Sequence, residues 1–234
     1  MEQVKVQVTA QGNELILREG QAPKVFDEKG YGIKTTMRGV RDYFKKRNIA
    51  ERISDSYLVC SYEENKVELV INDVKPELCI RVTGGFSDDE DVVALGINDS
   101  KRSYSFVELE NALRFRAHLF PSVEEYYATT ASLRKVKYSI VADVEKENDL
   151  QGNKKDLLFQ KLEGALPKSM VLMLKLDAEE IAAIPVEVQL EVEVIGTQVK
   201  LYLSSVQYHV DVMKYRVAQI NSVCELVSPT LPIV

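Results

Sequence analysis

Tryptophan is absent from this chain, and histidine (two), cysteine (three) and proline (seven) are scarce for 234 residues. Each shortage excludes something. His118 and His209 sit in no HExxH, Gly-x-Ser-x-Gly or Cys/His arrangement, so neither a histidine-rich metal centre nor a histidine-based relay is legible. Lone histidines are more often structural than catalytic. Cys60, Cys79 and Cys224 are odd in number, widely spaced and set among apolar residues, which argues against a disulfide framework and against a zinc site. They read as buried core thiols of a reducing compartment. The early apolar run at 15–17 is far too short for a signal peptide or a membrane span, so the expectation is a soluble cytoplasmic protein without membrane contact. Asn98-Asp99-Ser100 fits the glycosylation acceptor pattern, which carries no meaning in a cytoplasm. No Pro/Ser-rich linker, internal repeat or low-complexity tract divides the chain.

What is present is enough apolar material, 45% of residues, to build a core without covalent staples. The net charge of −6 is unevenly spread: residues 22–52 carry nine Lys/Arg against four Asp/Glu, a net of +5. Residues 86–100 carry five acids and residues 177–193 carry six, with no base in either. An acidic chain is a poor non-specific binder of nucleic acid, because neutralising phosphates needs cations clustered toward the ligand. A local basic face is still compatible with that balance. Patches of opposite sign also suit contact between copies of the chain.

Residues 186–204 form the clearest local pattern. Val186, Val188, Leu190, Val192 and Val194 alternate with Glu187, Gln189, Glu191 and Glu193, which places the two sets on opposite faces of a strand. A two-residue turn at Gly196-Thr197 brings Val194 opposite Val199, Val192 opposite Leu201, Leu190 opposite Leu203 and Glu193 opposite Lys200. A second hairpin with its turn at Glu64-Asn65 sets Tyr62 against Val67, Cys60 against Leu69 and Leu58 against Ile71, closed by a Glu63–Lys66 ion pair. With strands expected at 4–8 and 78–82, the N-terminal part reads as a meander.

Helices are expected at 37–47, burying Met37, Val40, Tyr43 and Phe44 behind a Thr35 or Thr36 cap, and after the capping boxes Ser105-Phe-Val-Glu108 and Ser122-Val-Glu-Glu125. Further expectations are a strand at 136–144, a polar turn with Gly152-Asn153, a helix at 155–164 and a strand at 170–176. The apolar phase shifts at Ser204-Ser205, read as a bulge or bend, and a last helix is expected to stack Met213, Val217, Ile220 and Cys224. The fold class is α+β: mainly antiparallel sheets, a meander and a long hairpin, packed with several helices. The chain 1–234 reads as one domain of two packed lobes, 1–103 and 104–234.

The order Leu166-Pro167-Lys168-Ser169-Met170, an apolar strand, a short acidic connection, the 186–204 hairpin and a terminal helix resembles a family of uncharacterised proteins encoded by bacteriophages and prophages. The likeness is one of layout over roughly residues 105–225 and carries no catalytic motif. It implies a phage or prophage origin and action in a bacterial host cytoplasm.

Several constellations were weighed for chemistry. Gly30-Tyr31-Gly32-Ile33-Lys34-Thr35-Thr36 has glycines ahead of Lys-Thr, but Ile33 stands where a phosphate loop needs glycine; it reads as a glycine turn followed by a threonine cap. Beyond it, Arg38, Arg41 and Lys45 fall on one helix face with Lys46 and Arg47 beside them. Together with Lys34 they are the candidate nucleic-acid or anion-binding residues, Tyr31 or Tyr43 offering a stacking surface. The alternative is a solvated face whose last-turn cations offset the helix dipole. Asp88-Asp89-Glu90-Asp91 reads as a solvated loop, since adjacent acids do not converge on one point. Glu147-Asn148-Asp149-Leu150-Gln151-Gly152 lacks the glutamate that closes a calcium loop, Leu158 standing there. The expected function is therefore binding rather than catalysis, without cofactor or metal, with a homo-oligomer or another protein as partner. The alternatives are a nucleic-acid accessory factor using the basic helix, and an enzyme whose site is assembled from scattered positions.

Overall fold

The computed structural model describes residues 8–11, 14–17, 30–47, 50–74, 78–146, 166–195 and 198–234. The expected turn at Gly152-Asn153, the helix at 155–164, the 147–152 segment, the Gly196-Thr197 turn and most of the strand at 4–8 lie outside these residues. Strands β1 (Val8–Gln11) and β2 (Glu14–Leu17) pair antiparallel, Val8 opposite Leu17. Strands β3 (Tyr31–Thr36), β4 (Ser56–Ser61), β5 (Lys66–Ile71) and β6 (Ile80–Gly85) form a sheet in the order β3-β6-β5-β4. The last three make the expected meander.

β3 departs from the sequence reading. The stretch taken for a glycine turn is an edge strand, parallel to β6 with Ile33 opposite Val82. Ile33 is its one aliphatic residue, set between Gly32 and the polar run Lys34-Thr35-Thr36, which is too little for a strand pattern, and its partner lies far down the chain. The cap was read correctly: Thr36 Oγ1 accepts from the Gly39 N–H (3.2 Å) and starts α1 (Met37–Lys46). The β4/β5 pairing differs by two residues from the expected one, with Leu58 opposite Leu69 and Cys60 opposite Val67. The connection uses four residues, 62–65, with Asn65 at φ +49°, and Lys66 pairs with Glu64 rather than Glu63. Because strand side chains repeat every two residues, this shift leaves each on its expected face.

Helices α2 (Glu90–Leu95), α3 (Phe106–Arg114) and α4 (Val123–Lys146) follow. Both capping serines act as expected: the Ser105 N–H donates to Glu108 Oε2 (2.8 Å), Ser105 Oγ accepts from the Glu108 N–H (3.3 Å), and Ser122 Oγ accepts from the Glu125 N–H (3.1 Å). The strand expected at 136–144 is instead helix, the second half of α4. Its β-branched content suggested a strand, yet Val136, Ile140 and Val144 also repeat every four residues, a helical spacing.

Strands β7 (Ser169–Leu174), β8 (Ile184–Ile195) and β9 (Gln198–Ser204) make the third sheet. Here the register is the expected one: Val194–Val199, Val192–Leu201, Leu190–Leu203 and Glu193–Lys200. Val186, Val188, Leu190 and Val194 are buried while Glu187, Glu191 and Glu193 are exposed. The phase shift at Ser204-Ser205 is neither a bulge nor a bend within a continuing strand. There the strand ends and Ser205 caps α5 (Val206–Val227), its Oγ accepting from the Tyr208 N–H (3.3 Å), so His209 is helical.

Two cores result. Val92, Leu109, Leu113 and Leu133 pack on the third sheet, and Met37 and Val40 of α1 pack with Leu58, Leu69 and Val82 of the second. α5 enters both, with Tyr208 and Val212 in the first and Ile220, Val223 and Val227 in the other. Of the stripe expected on this helix, Ile220 is buried and Cys224 half-buried, but Met213 and Val217 are each 39% exposed. After α5 the chain returns along the free edge of β4, where the Leu58 N–H donates to Pro232 O (3.0 Å) and the Val234 N–H to Leu58 O (2.8 Å). No helix among the described residues is long and apolar enough to cross a membrane.

Candidate functional site

α1 turns Met37 and Val40 into the core, which leaves Arg38, Arg41, Asp42 and Lys45 on its other side. That side forms one wall of a cleft of about 470 Å³. The floor is Gly85 and Phe86 at the end of β6, with Tyr215 and Gln219 from the middle of α5. The opposite wall is the connection between β7 and β8, contributing Asp177, Glu179, Glu180 and Ile181.

The acidic wall is held in place. Asp177 is 5% exposed; its Oδ2 accepts from the Ser87 N–H (3.2 Å) and its Oδ1 from the Glu179 N–H (3.0 Å). The Ala178 N–H donates to Ser87 O (2.9 Å), a second tie between this connection and the segment after β6. The Tyr215 hydroxyl donates to Glu180 Oε1 (2.6 Å), and the Tyr215 ring meets Phe86 edge-on at 6.3 Å. Burial, then the Glu180 hydrogen bond and charge, push the Tyr215 phenol well above its ordinary value. Tyr215 therefore keeps its proton and serves as a donor. Ile181 stands at the rim, 91% exposed.

The basic row divides. Arg41 turns toward α5, its Nη2 donating to Gln219 Oε1 (3.0 Å) and its Nη1 to Ser222 Oγ (3.4 Å). Arg38 and Lys45 line the cleft and are exposed. Lys34 on β3, Lys46 and Arg47 are exposed but lie outside the cleft lining, with Arg47 stacked over the Tyr43 ring at 5.4 Å. Three of the six candidate cations thus converge.

The run of four acids next to the cleft diverges, but it is not the solvated loop expected, since Asp89 is a buried cap and Glu90 and Asp91 open α2. Asp88 accepts from Arg216 (2.6 Å), whose guanidinium also lies over Phe86 at 5.5 Å. Asp89 is buried as the N-cap of α2 and accepts from the Asp91 and Lys175 N–H groups at 2.8 and 2.9 Å. Asp91 pairs with Arg116 at 3.0 Å and His118 at 3.3 Å. The nearby Tyr208 hydroxyl donates to Lys175 O (2.6 Å), and its phenol is pushed up to about 12 by burial and by the charges of Asp89 and Asp88. Among the described residues no three His, Cys, Asp or Glu side chains are grouped to hold a metal ion.

No known protein family, curated protein or solved structure matches this chain. The cleft carries both signs of charge, Arg38, Arg41 and Lys45 with a single carboxylate, Asp42, from α1, and only carboxylates from the β7–β8 connection. A polyanion reaching Arg38 and Lys45 meets Asp42, Glu179 and Glu180 as well, whereas a polypeptide carrying both signs finds a complement on each wall. Sequence reasoning marked the basic row and the acid-rich 177–193 segment separately. It missed Tyr215 and Gln219, which lie on a helix face without any local motif, and it missed that the two charged segments face each other within one molecule.

Proposed function

We propose that this is an accessory protein of phage or prophage origin that works by binding a polypeptide, and that its partner at the cleft is a second copy of the chain. The observation that carries this reading is the opposition of Arg38 and Lys45 to Glu179 and Glu180 across a cleft rimmed by the exposed Ile181. An exposed aliphatic side chain beside complementary charges is the make-up of a contact whose centre is apolar and whose rim is polar. Two of the ionisable groups lining the cleft are held within it, Tyr215 donating to Glu180 and Arg41 to Gln219 and Ser222, while Arg38 and Lys45 are exposed to a partner, which favours binding over catalysis. The resemblance in layout to phage-encoded proteins, read from the sequence over roughly residues 105–225, is the support for the origin.

Sedimentation over a concentration series tests the reading. The expected result is an oligomer at low salt that dissociates as salt screens the charges, and that is weakened by Ile181→Asp and by Arg38→Glu but not by Lys46→Glu. A monomer under all conditions would overturn it. So would tight, steeply salt-dependent binding of a single-stranded oligonucleotide lost on removing Arg38 and Lys45, which would make the nucleic-acid reading the better one.

A further inference from the structure

We propose that Cys60 and Cys224 form a reversible intramolecular disulfide that ties α5 to β4, with a small-molecule disulfide such as oxidised glutathione as the electron acceptor. The two residues are 164 positions apart in sequence, yet their Sγ atoms lie 2.7 Å from each other. A disulfide bond is about 2.0 Å long, so closing it asks for a shift of less than about 1 Å. Both elements that carry the sulfurs are anchored on either side. Cys60 follows the buried Leu58 on β4 and donates its N–H to Val234 O (3.3 Å), while Cys224 sits between the buried Ile220, Val223 and Val227 on α5. One turn earlier on the helix, Asn221 Oδ1 accepts from the Tyr62 hydroxyl (2.7 Å), which repeats the same strand-to-helix alignment. Both cysteines are partly exposed, within reach of a small oxidant, whereas Cys79 is buried.

The exchange proceeds in two attacks. Cys224 Sγ, as thiolate, attacks one sulfur of the small disulfide; the S–S bond breaks, one thiolate leaves, and a mixed disulfide remains on Cys224. Cys60 then gives its proton to solvent and attacks Cys224 Sγ, and the second small thiolate leaves. Two protein S–H groups and one small-molecule S–S bond become one protein S–S bond and two small-molecule thiols, with two electrons passed to the acceptor. The order follows from the environment of Cys60. Burial, then the hydrogen bond and the charge interaction with Cys224, push its thiol up to about 12, so Cys60 holds its proton through the first attack and serves as the resolving thiol. Capping Cys224 removes the hydrogen bond between the two thiols, one of the causes that hold the proton on Cys60.

The test exposes the folded protein to graded mixtures of reduced and oxidised glutathione, blocks remaining thiols with an alkylating agent, and reads intact and peptide masses. The expected product has lost two hydrogens, links the Cys60 and Cys224 peptides within one chain, and reverts with dithiothreitol. Cys79→Ser should behave as the parent, while Cys60→Ser and Cys224→Ser should yield only mixed disulfides with glutathione. Protein unfolded in urea supplies the control, since loop closure there favours the Cys60 and Cys79 pair, 19 positions apart, over the distant one. Three alkylatable thiols in every mixture, a bond to Cys79, or a disulfide between chains would each overturn the proposal.

Discussion

Tyr208 and Tyr215 stand one above the other on α5, each giving its phenolic proton to a single acceptor, Lys175 O and Glu180 Oε1. Both phenols are raised in the folded state, Tyr208 to about 12, against an ordinary value of about 10 in the unfolded chain. Above about pH 10 the unfolded chain therefore sheds protons that the native state retains, and stability falls as pH rises through the folded values. Their contribution is intact below pH 10. A denaturant midpoint followed from neutral pH to about pH 12 should decline on the alkaline side, and Tyr208→Phe with Tyr215→Phe should flatten that decline. Each substitution should also cost about 1 kcal/mol at neutral pH for the lost hydrogen bond. Neither tyrosine was legible as special in the sequence, because what sets it apart is an acceptor on a connection reached only through the fold. Asp177 was hidden for the same reason: its two N–H partners, Ser87 and Glu179, include one 90 positions away.

Among the elements, those announced by their own residues were read correctly. The β8/β9 hairpin carried alternation, a glycine turn and the Glu193–Lys200 pair in one local stretch, and its register followed. α3 and the start of α4 carried serine with glutamate three positions on, whereas the second half of α4, without such a signal of its own, was taken for a strand. α5 begins with the same kind of serine cap, but Tyr208 stands at the third helical position where a capping box has glutamate, so the strand-to-helix switch passed for a bulge or bend. β3 failed for want of any local partner. Its placement beside β6 lets α1 cross the sheet closely, and the closeness is set by Gly84, where an added Cβ would lie 2.5 Å from Val40 Cγ2 and 3.1 Å from Thr36 O. Val40 is fully buried and has nowhere to retreat. Gly84→Ala should accordingly lower stability by about 1–3 kcal/mol, the range for overpacking a core, and Val40→Ala combined with it should recover part of the loss by vacating the space. Denaturant unfolding of the single and double variants reads the coupling; simple additivity would show that the contact is not what limits this position.

At the level of the whole molecule, α5 is the one described helix whose buried residues enter both large cores. It lines the cleft with Tyr215 and Gln219 between those two anchorages. Unfolding should therefore be a single transition in the parent. Ala218 is exposed between the two anchored halves, and Ala218→Pro removes one helical N–H and crowds the carbonyl four residues earlier, at a cost of about 3 kcal/mol or more. The expected outcome is separate melting of the two cores by calorimetry, together with loss of the cleft, while Ala218→Ser leaves one transition. The basic and acidic segments were visible in the sequence, but their confrontation was not, since it is produced by a packing arrangement that spans α1, the β7–β8 connection and α5.

The dependence of the second sheet on α5 also has a consequence in time. Strands β3 to β6 are complete by Gly85, but Ile220, Val223 and Val227, which cover their apolar face, are made well over a hundred residues later. At ribosomal speeds this interval is on the order of ten seconds. Through it the earliest large sheet stands with its apolar face covered by α1 alone and the β4 edge unpaired, the condition in which nascent strands recruit wrong neighbours. The third sheet does not share this exposure, because β7, β8 and β9 are followed at once by the first turns of α5, with Tyr208 and Val212. The sheet synthesised first is thus the last to be finished, and its exposure to chaperones during translation should exceed that of the sheet made after it.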